Sequence, residues 1–135
     1  MITWEMVCAF LELLPGAVQD PPESREVVRV KGKPIAYPAM SARSRPDGYG
    51  DEETFLIVRC EYSERAALLA DDPATFFVTP HYETYPGVIV RLATVPAAQL
   101  EELLFDAWRA AAPKRDVRAV DERLAAGWSP HLGQR

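Results

Sequence analysis

A chain of 135 residues, 48% apolar and 26% charged, is long enough for one hydrophobic core and has the make-up of a globular domain rather than a disordered one. Its net charge of −5 opposes long-range attraction to nucleic acid or anionic membranes, although a local basic patch can outweigh the total. No apolar run approaches the roughly 20 residues that a bilayer span needs, so no membrane partner is expected.

The chain opens Met1-Ile2-Thr3-Trp4-Glu5, with no basic flank and an acid where a secretory leader would be apolar. Cys8 and Cys60 stand alone in apolar stretches. They read as buried free thiols, the alternative being a disulfide between them. Both features predict a cytoplasmic protein.

Thr3 is a suitable N-cap for a first helix, in which Trp4, Val7, Cys8, Leu11 and Leu14 recur at helical spacing. Pro15-Gly16 ends it, and residues 15–24 read as a loop. Val27 to Lys31 alternates as a half-buried strand, Lys31-Gly32-Lys33 supplies a turn, and Pro34 to Pro38 returns as a second strand. Its two prolines predict an edge position. Residues 41–53 are Ser, Arg, Pro, Asp, Gly and Glu-rich and predict a mobile, solvated connection.

Thr54 to Cys60 is the clearest strand, leading into a helix capped by Ser63 and closed by Asp72-Pro73. Phe76-Phe77-Val78 is a short strand, His81 to Gly87 an aromatic loop, and Val88 to Leu92 a further strand. Pro96 suits the first turn of the best helix, whose Leu100, Leu103, Leu104, Ala107, Trp108 and Ala111 form one apolar stripe. Pro113 stops it, and Val117, Val120 and Leu124 suggest a short tail helix. Strands joined by short turns predict an α+β fold: an antiparallel sheet with helices on one face.

Several stretches, in order, resemble the MmcQ/YjbR family of small bacterial proteins. They are Val30-Lys31-Gly32-Lys33, Glu64 to Leu69 with Asp72-Pro73-Ala74-Thr75-Phe76, Pro80-His81-Tyr82, Pro86 to Leu92, Ala107-Trp108-Arg109 and Ala112 to Arg115. The resemblance covers roughly residues 3–115 and divides the chain into a domain at 1–115 and a C-terminal extension at 116–135. It implies a frataxin-like two-layer sandwich and a DNA-binding label, which is a fold-level association rather than a site. No catalytic motif comes with it.

Strand alternation puts Val28 and Val30 opposite Val27, Arg29 and Lys31; Leu56, Val58 and Cys60 opposite Phe55, Ile57 and Arg59; and Val88, Val90 and Leu92 opposite Ile89 and Arg91. With helices on the apolar sets, the other face would be open and carry Arg29, Lys31, Arg59 and Arg91 among Phe55, Ile57 and Ile89, suited to bases or phosphates. The competing expectation is a face covered by a homodimer partner or by the tail, with its arginines paired to local acids. Charge is uneven: Arg25 to Arg45 holds six bases against one acid, Pro46 to Glu83 two bases against nine acids. Lys31, Lys33, Lys114 and Arg115 are therefore the expected phosphate contacts on double-stranded DNA, together with Arg29, Arg59 and Arg91.

His81, Tyr82 and Tyr85 offer a ligand-pocket alternative, or a loop that covers one end of the sheet. Two histidines fifty residues apart and two isolated cysteines have no metal-ligand spacing. Asp51-Glu52-Glu53 could serve as the acidic iron surface a frataxin-like fold implies, but reads as a solvated run. No cofactor motif or nucleophile elbow occurs, so the expectation is a binding module and not an enzyme.

Overall fold

The computed structural model describes residues 1–134. Its elements in chain order are α1 (Trp4–Glu12), β1 (Ala17–Gln19), β2 (Val28–Val30), β3 (Lys33–Pro38), β4 (Phe55–Arg59), α2 (Tyr62–Asp71), β5 (Phe76–Phe77), β6 (Gly87–Arg91), α3 (Ala97–Ala111) and α4 (Lys114–Ala125). The strands form one six-stranded antiparallel sheet in the order β1-β2-β3-β4-β6-β5. Short 3₁₀ turns occupy Ala42–Ser44 and Pro80–Tyr82.

The expected α+β architecture is present. Thr3 caps α1, its hydroxyl accepting from the Met6 N–H at 3.2 Å. Phe10, Leu11, Leu100, Leu104 and Trp108 from α1 and α3 meet Val28, Val30, Leu56, Val58, Val88 and Val90 from the sheet in one buried cluster. Trp108 is completely buried, and its indole N–H donates to the Pro15 carbonyl at 2.8 Å. That bond joins the end of α1 to the third helix across most of the chain.

Several local expectations are corrected. β3 is an interior strand, between β2 and β4. Its prolines are tolerated because Pro34 sits beside a register shift and Pro38 is the final residue, where a missing N–H interrupts little of the ladder. The true edge on this side is β1, three residues inside the stretch read as loop, too short for alternation to reveal. Helix α2 begins at Tyr62, so Ser63 lies within its first turn and caps nothing. The Tyr62 hydroxyl donates to the Thr84 carbonyl at 2.6 Å, a long-range tie that fixes the earlier start. The tail helix is longer than expected, running from Lys114 to Ala125, with Val120 in the main core.

The largest correction concerns the second face of the sheet, which is not open. Phe55, Ile57 and Ile89 are 1%, 1% and 0% exposed. Tyr49 from the 41–53 segment and Tyr82 and Tyr85 from the 80–86 loop pack over them. Tyr49 stands edge-on to Phe55 and Phe77, with ring centroids 5.2 and 5.7 Å apart. The 41–53 segment is thus a cover and not a free connection; its Ser44 is 2% exposed. Arg45 stands over the Phe55 ring and donates to the carbonyls of Glu53 and Gly50, both at 2.8 Å.

Ile57→Ala is accordingly expected to cost about 2–5 kcal/mol, as for a core position. A urea unfolding midpoint unchanged within the roughly 0.5 kcal/mol typical of surface changes would show that the face is open after all.

Candidate functional site

The cations expected to contact phosphates fall into two groups. Arg29 and Arg91 belong to the structure itself. Arg29 donates from Nε to both Asp20 oxygens at 3.0 and 3.3 Å, and from a terminal nitrogen to the Gly32 carbonyl. Arg91 grips Glu53 through two hydrogen bonds of 3.2 and 2.6 Å and lies against the Tyr49 ring. Arg91 presents a planar fork to its carboxylate, the geometry guanidinium serves best, whereas Arg29 meets Asp20 through Nε alone. Neither is available to a ligand without breaking a tie that holds a loop.

The hydrogen bonds from Arg91 hold the Glu53 carboxyl below the ordinary glutamate pKa, burial opposing and the charges of Arg91 and Arg45 adding to it. A depressed folded pKa stabilises the fold above the unfolded value and stops doing so as pH falls through the folded value. Wild type should therefore melt above Glu53→Gln at neutral pH, and the gap should close on acidification. A gap independent of pH would contradict this ion pair's role.

Lys31, Lys33, Arg59 and Lys114 form the second group and have no ion-pair partner among the described residues. Arg115 only brushes Asp116 at 3.9 Å and is otherwise exposed. Topology brings these five to one end of the sheet. Lys31-Gly32 is the tight turn between β2 and β3, with positive φ at both residues (51° and 79°). That pattern defines a two-residue hairpin turn whose twist matches the flanking strands. Lys31 is the sole non-glycine residue at positive φ among the described residues. Lys33 and Arg59 line one cleft of about 440 Å³ with Ala107, Ala110 and Ala111 of α3. Lys114 and Arg115 open α4 just beyond that end of α3.

The same cleft carries acids. Glu61, Glu64 and Asp106 line it beside Cys60. Burial, then Asp106 and Glu61, raises the Glu64 carboxyl above its ordinary value. Burial, then Glu64, pushes the Cys60 thiol up to about 12 despite Arg65 nearby, so it is a poor nucleophile at neutral pH. Cys8 and Cys60 are both free thiols. Lys33 and Arg59 therefore share their cleft with three carboxylates.

The aromatic loop divides differently from the pocket expected of it. Tyr85 is packed into the second-face cluster, and His81 is exposed, edge-on to Tyr82 at 5.0 Å. Tyr82 reaches a shallow groove of about 530 Å³ with Tyr37, whose hydroxyl donates to the Tyr82 oxygen at 3.3 Å. Burial, with hydrogen bonds to Tyr82 and Tyr85, keeps Tyr37 protonated far above the usual tyrosine range. Among the described residues no carboxylate is paired with His81. Sequence reasoning missed Arg65, which donates to four carbonyls of this loop: Tyr82 and Tyr85 at 2.9 Å, Gly87 at 3.2 Å and Glu83 at 2.9 Å. Its sequence signal is slight: one of two bases in an acidic stretch of the chain. Among the described residues no cluster of three metal-ligating side chains occurs.

These features define a small α+β sheet domain, helix-backed on one face, closed on the other by its own loops, and bearing Lys31, Lys33, Arg59 and Lys114 at a hairpin end. The chain belongs to the YjbR family, whose description matches residues 13–110. Uncharacterized proteins of Mycobacterium bovis and Mycobacterium tuberculosis are 33% identical to it over 123 residues, 88% of this chain and 95% of theirs. No solved structure matches it.

Proposed function

We propose that this protein is a non-enzymatic binding module whose hairpin end meets the phosphates of double-stranded DNA. The observation that carries the reading is the group Lys31, Lys33, Arg59 and Lys114, cations without carboxylate partners that gather at one end of the sheet, with Arg115 beside them. Phosphate contacts position a protein on a duplex without reading its sequence. The covered second face contributes no stacking surface, so the interface is one of exposed charges and carries no base readout.

The acids inside the cleft work against deep insertion of the backbone. The reading therefore places phosphates on the rim, along the hairpin turn and the start of α4. It also places the protein in the cytoplasm, where free Cys8 and Cys60 stay reduced.

Five contacts would give a logarithmic salt slope of about −4 to −5, or a loss of roughly two to three orders of magnitude in affinity between 50 and 200 mM salt. Lys31→Asn suits the test, because Asn-Gly is the preferred sequence for this turn and keeps the hairpin while removing the charge. Fluorescence anisotropy with a 20-base-pair duplex should show Lys31→Asn/Lys33→Gln weakening binding and lowering the slope by about two. No binding by the wild type at low salt, or an unchanged slope in the variant, would sink the proposal.

A further inference from the structure

Away from the hairpin turn, the outer strand β1 and helix α1 enclose a groove of about 340 Å³ whose character is opposite to that of the basic rim. Glu5 and Glu12 of α1 and Glu26, just before β2, all line it. They are seven residues apart on one helical face and one short loop away, and none has an ion-pair partner among the described residues. Cys8 reports their convergence: after burial, the fields of Glu12, Glu5 and Glu26 are what push its thiol up to about 12.

Two further observations turn an acidic surface into a site with a shape. Trp4 lines the groove, is 8% exposed, and its indole N–H is the one buried side-chain donor or acceptor without a partner among the described residues. A buried donor left unpaired costs free energy and calls for an acceptor. Gln19 also lines the groove, on the unpartnered edge of the sheet. The Asp20 N–H bonds to the Val27 carbonyl, so by antiparallel alternation the backbone N–H and C=O of Gln19 point outward.

A carboxylate cluster asks for cations, the orphan indole asks for a carbonyl, and the outward backbone of Gln19 asks for another strand. We propose that this groove binds a basic, extended peptide segment of a partner protein, which adds to the edge of β1 and sets arginine or lysine side chains among Glu5, Glu12 and Glu26. Strand addition supplies main-chain hydrogen bonds, and the pockets beside it supply selectivity. A free cation meets only the carboxylates, and an uncharged strand only the edge. This site is separate from the hairpin end and stands whether or not that end binds DNA.

The probe is the capped peptide acetyl-Ala-Arg-Ala-Arg-Ala-amide, titrated into the full chain labelled with ¹⁵N and followed by two-dimensional NMR. The expected result is saturable binding that moves the Trp4 indole proton downfield and shifts the Gln19 amide. The Trp108 indole, already bonded to the Pro15 carbonyl, should stay in place and serves as an internal check of the fold. Glu12→Gln/Glu26→Gln, two exposed changes, should weaken binding about tenfold, equal to about 1.4 kcal/mol. The peptide with glutamate in place of arginine should not bind.

Absence of binding, or shifts that spare Trp4 and Gln19, would overturn the proposal. So would arginine amide binding as tightly as the peptide, which would make the groove a small-cation site. A concentration-dependent rise in sedimenting mass that buries Gln19 would instead identify the occupant as a second copy of this chain and equally overturn it.

Discussion

Two adjacent interior strands, β4 and β6, are buried on both faces, and most of the molecule answers that constraint. Phe55-Leu56-Ile57-Val58 and Val88-Ile89-Val90 leave no polar side for water. Antiparallel sheets commonly keep one face solvated, in which case their strands alternate apolar and polar. Here residues of all four helices join the cluster on one face, and the cluster on the other face draws on no α-helix among the described residues. Loops do the covering, and loops carry backbone polar groups that must be satisfied once water is excluded.

Arginine solves that problem twice and ties down a loop end a third time. Arg65 satisfies four carbonyls of the 80–87 loop, Arg45 two carbonyls of the 41–53 segment, and Arg91 pins the end of that segment through Glu53. Each offers five donors on a rigid fork, which a lysine could not match. The second layer is therefore an arginine-stapled loop layer, with tyrosines underneath. The arginines so used leave the pool of cations open to a partner, which confines the proposed binding surface to the hairpin end.

The charges in the two proposed sites have opposite signs. Lys31 and Lys33 lie at the turn between β2 and β3 and Lys114 at the start of α4, while Glu5, Glu12 and Glu26 line the groove along β1 and α1. A net charge of −5 conceals this separation, since opposite fields at two places act on different partners over a Debye length of about 10 Å or less.

Much of this was legible in the residues. The stripe of α3, the Thr3 cap, the Lys31-Gly32 turn and the antiparallel class all follow from local rules of spacing and backbone freedom, which need no knowledge of neighbours. The continuous apolar runs of β4 and β6 also hinted at burial on both faces, a signal that strict alternation conceals. Residues 41–53 could not be read as a cover, because their composition is that of solvated loops and only Tyr49 betrays the contact. Nor could β3 be placed inside the sheet, as strand order is decided by which apolar faces meet and not by the prolines of one strand. The fates of Arg29 and Arg91 against Lys31 and Lys33 were equally out of reach. Alternation assigned each base to a face, but whether a base stays free depends on acids such as Glu53, which lies thirty-eight residues from Arg91 in the chain and 2.6 Å from it in space.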